Sequence, residues 1–185
     1  MADKAFLSGV NDYRTIGDLR GCVNDTESIR RFLLEEFQFA EDQIRVRTDD
    51  DVTKSQLTKG WKWLLKDAQP GDRLVFHFSG HGSQTVDRDS DESDRADELL
   101  CLYGMDWTDP KTYLLDDELK GWTRQIPDGV SVTFLLDCCH SGTGTRYIEP
   151  NLSRAMETNF RSAASLSIDR VAEQRVRGKP VSYTH

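Results

Sequence analysis

The chain is sparing with the residues that usually announce a function. Its 185 residues hold four histidines, four cysteines, five prolines and three methionines. No apolar run approaches the roughly 20 residues a membrane span requires, and the first residues lack the basic-then-apolar pattern of a secretory signal. No membrane partner is expected. The cysteines, at 22, 101, 138 and 139, make no small-domain disulfide framework, and the adjacent pair is poorly placed to form a structural bridge. A reducing, cytoplasmic setting is the simplest expectation. Zinc is disfavoured, because no paired Cys or His stand at ligand spacing. A surplus of positive charge is missing too: the net charge is −8, which disfavours nucleic acid as a partner. That charge is uneven. Residues 151–185 carry six basic and three acidic groups, leaving −11 on the first 150 residues. An acidic body suits a cationic substrate or a bound cation, although acidity also serves solubility alone.

What is present is a strand–helix alternation. Residues 4–10 form an apolar run ending near a glycine. From Asn24 or Asp25, with that residue as cap, Ile29, Phe32, Leu33 and Phe37 fall at helical spacing. Residues 43–47 form a short strand, and Thr53 caps a second helix with Leu57, Trp61, Leu64 and Leu65 on one face. Pro70-Gly71-Asp72 is a turn. Strands follow at 74–81, 99–103 and 130–137, with a helix over 116–124. Such alternation predicts an α/β fold, a mainly parallel β-sheet flanked by helices on both faces. After Pro150 large apolar residues thin out, so residues 1–150 are expected to form the domain and 151–185 a basic linker or flexible tail.

Two strands end in reactive residues. Leu74-Val75-Phe76-His77-Phe78 runs into Ser79-Gly80-His81-Gly82, and Val130 to Leu136 runs into Asp137-Cys138-Cys139-His140-Ser141-Gly142. In open α/β sheets, side chains from different strands converge outside the strands' carboxyl ends. A cysteine is mostly protonated at neutral pH and reacts as thiolate, so it needs an imidazole beside it. His77 lies within its strand and suits a packed core; His81 lies at the strand's end. Neighbouring side chains on a strand point opposite ways, so only one of Cys138 and Cys139 should face a cleft.

The strings Ser79-Gly80-His81-Gly82 and Asp137 to Gly142 resemble the catalytic segments of metacaspases, Lys4 to Tyr13 resembles the family's first strand and turn, and Leu19 to Asp25 the segment that opens its first helix. The resemblance covers about residues 4–150. It implies a caspase-like sandwich and a cysteine endopeptidase that cleaves peptide or protein substrates after Arg or Lys. It implies Cys139 as nucleophile and His81 as base, with the backbone amides of Gly82 and Cys139 as candidate oxyanion donors. Asp25 and Asp137 match acids of the pocket for the substrate's basic side chain, with Cys22 and Ser79 beside them; a carboxylate pair suits a guanidinium. The Gln-Ala-Cys-x-Gly string of true caspases is absent, which disfavours cleavage after aspartate.

The acidic stretch from Asp87 to Glu98 offers hard oxygen ligands of the kind Ca²⁺ takes. It is no EF-hand, since Glu92 stands where that loop needs glycine. The resemblance implies calcium stimulation through Asp97, Asp116 and Asp117. It also implies a small-subunit segment, which the sequence after Pro150 does not resemble, so the chain is either a large-subunit fragment whose small-subunit partner is a separate chain, or a truncated or degenerate member. Arg154, Arg161, Arg175 and Lys179 are candidate self-cleavage sites.

Overall fold

The computed structural model of the chain describes residues 2–86, 96–139 and 158–160. A parallel ladder forms its centre. Strand β1 (Asp3–Gly9) lies between β2 (Ile44–Thr48) and β3 (Arg73–Val86), parallel to both. On its other side β3 runs parallel to β6 (Ser131–Cys139), which pairs in turn with β7 (Thr158–Phe160). From Gly82 onward β3 changes partner and pairs antiparallel with β4 (Ala96–Cys101), and β4 with β5 (Tyr113–Leu115). The near-continuous apolar run at 74–78 suits a strand covered on both faces, as a parallel sheet requires.

Three helices supply the cover: α1 (Cys22–Phe37), α2 (Lys54–Leu65) and α3 (Asp116–Thr123). Alternation along the strands divides the core. Leu74, Phe76 and Phe78 join Phe6, Phe134, Trp61 and Trp122 beneath α2 and α3; Val75 joins Ala5, Leu7 and Leu33 beneath α1. The Trp61 and Trp122 rings stack with centroids 5.5 Å apart, and both pack against Phe76. Burying side chains of this size contributes about 3 kcal/mol each before the entropy cost is counted. Thr53 caps α2 by accepting the Gln56 amide at 3.3 Å. Glu118 reaches back to the Leu115 amide at the start of α3 and also binds Lys54 at 2.6 Å.

The α/β architecture agrees with the sequence pattern, and the boundaries differ in instructive places. α1 begins at Cys22, not at Asn24 or Asp25. The Asp25 amide already bonds the Gly21 carbonyl at 2.7 Å, so residue 25 is inside the first turn and its side chain caps nothing. The strand placed at 99–103 occupies Ala96–Cys101. β5 and β7, three residues each, are too short for a periodic signature. β7 lies within the segment that reads as a tail; the other residues of 151–185 lie outside the described residues. No helix among the described residues is long and apolar enough to cross a membrane.

Gly9 fixes how closely α1 approaches the sheet. A Cβ there would stand 2.3 Å from Thr26 Oγ1 and 2.5 Å from the Cys22 carbonyl oxygen. Gly9→Ala should therefore push the first turn of α1 outward and cost about 2–3 kcal/mol, the usual range for overpacking. Urea denaturation checks this; a loss below about 0.5 kcal/mol would mean that the helix yields freely at that end.

Candidate active site

The register of two parallel strands brings the site together. β3 and β6 pair residue for residue, with Ser79 opposite Asp137, Gly80 opposite Cys138 and His81 opposite Cys139. β1 ends at Gly9, opposite Ser79, and the N-terminal turn of α1 sits over that glycine. Residues distant in sequence, from 22 to 139, thus meet at the carboxyl ends of three parallel strands. Cys138 is 3% exposed and packs into the core under α2 and α3. Cys139 is the next residue along, at the register position of His81.

His81 is held from several sides. Its Nε2 lies 2.8 Å from the Gly17 carbonyl oxygen, which can only accept, so Nε2 carries the proton of that bond. Its backbone amide donates to the Tyr13 hydroxyl at 2.8 Å, and the two rings lie 5.0 Å apart. The sequence does not show the contacts of Tyr13 and Gly17 with His81, because each runs between the 10–20 loop and a strand end. Gly82 follows His81 and opens the antiparallel ladder opposite Leu100.

A group of four side chains, two of them acidic, lies at the same strand ends. The Ser79 hydroxyl bonds the Cys22 thiol, and Asp25 and Asp137 lie close enough for their charges to act on it. Burial pushes the Cys22 thiol above its ordinary value, the two carboxylates add to the rise, and the Ser79 bond offsets part of it. Cys22 therefore stays protonated at neutral pH. Asp25 is also raised, by partial desolvation first and then by the charge of Asp137. Both acids remain exposed while Ser79 is buried. Cys22, Asp25, Ser79 and Asp137 thus lie together, and a bound cation would relieve the repulsion between the two carboxylates.

Two of the expected calcium ligands share a cationic side chain. Lys120 Nζ stands 3.2 Å from Asp116 Oδ2 and 2.9 Å from Asp117 Oδ1, so one ammonium serves both carboxylates. Burial raises the Asp116 carboxyl, and Lys120 opposes the rise. Asp97 is buried on β4. Among the described residues no group of three or more His, Cys, Asp or Glu is placed to hold a metal ion; residues 87–95 of the acidic stretch lie outside them. A divalent cation would have to displace Lys120 from Asp116 and Asp117.

His77, set aside above as a core residue, is buried, and its Nδ1 has no hydrogen-bond partner among the described residues. Burial pushes its pKa down to about 4. The folded value lies below the unfolded one of about 6.5, so the folded state resists protonation. Stability should be complete above pH 6.5 and fall as pH drops from about 6.5 toward about 4, by up to about 3 kcal/mol. Urea unfolding of the wild type and His77→Leu at pH 7 and pH 4.5 isolates this contribution. The variant should lose less on acidification; equal losses would show that His77 takes up its proton in the fold.

Residues 3–147 match the family described as metacaspase, peptidase C14 domain. Among curated proteins, Metacaspase-1 of Coccidioides immitis is 38% identical over 168 residues, covering 82% of this chain and 36% of the relative. Metacaspase-1 of Pyricularia oryzae is 34% identical over 184 residues, covering 95% of this chain and 46% of the relative. The chain thus spans less than half the length of these relatives. A crystal structure of a protein from Geobacter sulfurreducens superposes with a TM-score of 0.65 at 28% identity, covering 77% of this chain and 52% of the other.

Proposed function

The chain belongs to the metacaspase, peptidase C14 family, and from that premise we propose that it cleaves peptide bonds after Arg or Lys through Cys139 and His81. The observation that carries this reading is the β3–β6 register. It sets His81 opposite Cys139, with two carboxylates, Asp25 and Asp137, on the same strand ends and helix turn.

The chemistry follows from the imidazole. With Nε2–H donating to the Gly17 carbonyl, Nδ1 is the nitrogen left to accept the Cys139 thiol proton. The thiolate attacks the carbonyl carbon after the basic residue, forming a C–S bond and an oxyanion. The amides of Gly82 and Cys139 are the proposed donors to that oxyanion. Collapse breaks the C–N bond as the imidazolium protonates the leaving amine, and water then hydrolyses the acyl-enzyme. Asp25 and Asp137 would hold the guanidinium or ammonium, with Cys22 and Ser79 lining the same place. Aspartate before the scissile bond would meet only repulsion there.

Matched fluorogenic peptides ending in Arg, Lys or Asp provide the test. Cleavage after Arg should vanish in Cys139→Ala and His81→Ala. In Asp137→Asn and Asp25→Asn it should fall at least tenfold, the loss of a charge-assisted contact. Because Asp25 is raised, Arg cleavage should weaken on acidification sooner than an ordinary carboxylate would dictate. Cleavage of the Asp peptide, or Arg cleavage indifferent to both acids, would overturn the specificity.

The remaining parts of the reading are regulatory. A small-subunit chain is the proposed partner; its addition should raise activity, and full activity without it would remove the need. Self-processing within the basic tail and a reducing cytoplasm, where the thiols stay usable, complete the proposal. Calcium stimulation is proposed as a competition, because a cation would have to take Asp116 and Asp117 from Lys120. Lys120→Met should then bind Ca²⁺ several-fold more tightly than the wild type by calorimetry. Weaker or equal binding would place any calcium site elsewhere.

A further inference from the structure

The strand that carries His81 loses a neighbour just before it is needed. β1 pairs with β3 only as far as Gly9 opposite Ser79, and β4 takes over from Gly82. The His81 amide falls in the interval, and a side chain fills it: Tyr13 Oη accepts that amide at 2.8 Å. The same hydroxyl donates to the Cys101 carbonyl at 3.2 Å, so it ties β3 to the end of β4. The Tyr13 ring lies against the imidazole at 5.0 Å, tilted by 51°. Gly80 leaves the space for this: a Cβ there would stand 2.6 Å from Tyr13 Oη.

Tyr13 is itself held. Its amide donates to Asp18 Oδ1 at 2.9 Å, closing the loop that presents the Gly17 carbonyl to His81 Nε2. Arg14 and Thr15 fasten the loop to the Tyr103 and Met105 carbonyls. The amide, one face of the ring and Nε2 of His81 are all contacted by residues 13–17. We propose that Tyr13 is a positioning residue for the peptidase reaction, fixing His81 through its backbone amide, its ring face and the loop that carries Gly17. The proposal rests on the reading of His81 as the base. A positioning residue of this kind controls how well one imidazole serves first as base and then as acid.

Tyr13→Phe removes one oxygen and keeps the ring. An arginyl peptide anilide and the matching arginyl thioester separate the two roles of His81, since the anilide's leaving amine needs a proton and a thiolate leaves without one. With folding checked by circular dichroism, kcat for the anilide should fall about tenfold with KM within about twofold, and the thioester should lose less. Anilide and thioester falling together, in step with the folded fraction, would reduce Tyr13 to a structural role and overturn the proposal. His81→Ala separates the two readings. If it is inactive while Tyr13→Phe is unimpaired, only the positioning role fails; if it keeps wild-type activity, the base assignment fails and the proposal with it. Should Tyr13→Phe not fold, 4-aminophenylalanine at position 13, a weaker acceptor on the same ring, is read the same way. If the chain alone does not turn over substrate, the rate of Cys139 alkylation by iodoacetamide, followed by mass spectrometry, replaces kcat. It should drop several-fold in Tyr13→Phe, and an unchanged rate overturns the proposal.

Discussion

Everything at the candidate site depends on nine consecutive pairings between β3 and β6. Because side chains alternate along a strand, a slip of one residue would exchange the faces of every side chain in it. It would send Phe134 out of the aromatic core and break the match of His81 with Cys139 in the same step. The register is guarded by that core: Phe76 and Phe134 lie 5.6 Å apart between Trp61 and the sheet. The burial that stabilises the domain therefore also aligns the chemistry, and neither can shift without the other.

The opposite face is built for electrostatics. α1 can approach the sheet closely because Gly9 has no side chain, and its first turn brings Cys22 and Asp25 over the ends of β3 and β6. Packing there leaves the carboxylates of Asp25 and Asp137 near one another and exposed. A cationic side chain is the natural complement to such a pair. The Cys22 thiol is kept protonated first by its burial and further by the same charges, which leaves it a poor competitor for the proposed nucleophile's role.

A loop completes the arrangement without regular secondary structure. Asp49 Oδ1 accepts the amides of Asn11 and Asp12, Asn11 accepts the Leu19 amide through its carbonyl, and Asp18 accepts that of Tyr13. These bonds satisfy backbone groups that no ladder reaches. They make residues 10–20 a firm bracket at the end of β3, where the imidazole needs a fixed orientation.

The alternation of apolar runs and amphipathic stretches determined, without any coordinates, that this is an α/β chain with a histidine and a cysteine at strand ends. Local pattern carries that information because buried strands and half-buried helices impose periods on their own residues. It failed where a decision was not local. Asp25 reads both as a helix cap and as a pocket acid, yet the helix begins three residues earlier and no side-chain cap bond forms. Tyr13 ends a segment of the family pattern and Gly17 belongs to none, and their place beside His81 exists only because β1 stops where it does. The sequence alone determined which reactive groups stand at the ends of strands. Tertiary structure decided which of them meet, since register, strand ends and helix approach depend on contacts between residues far apart in the chain.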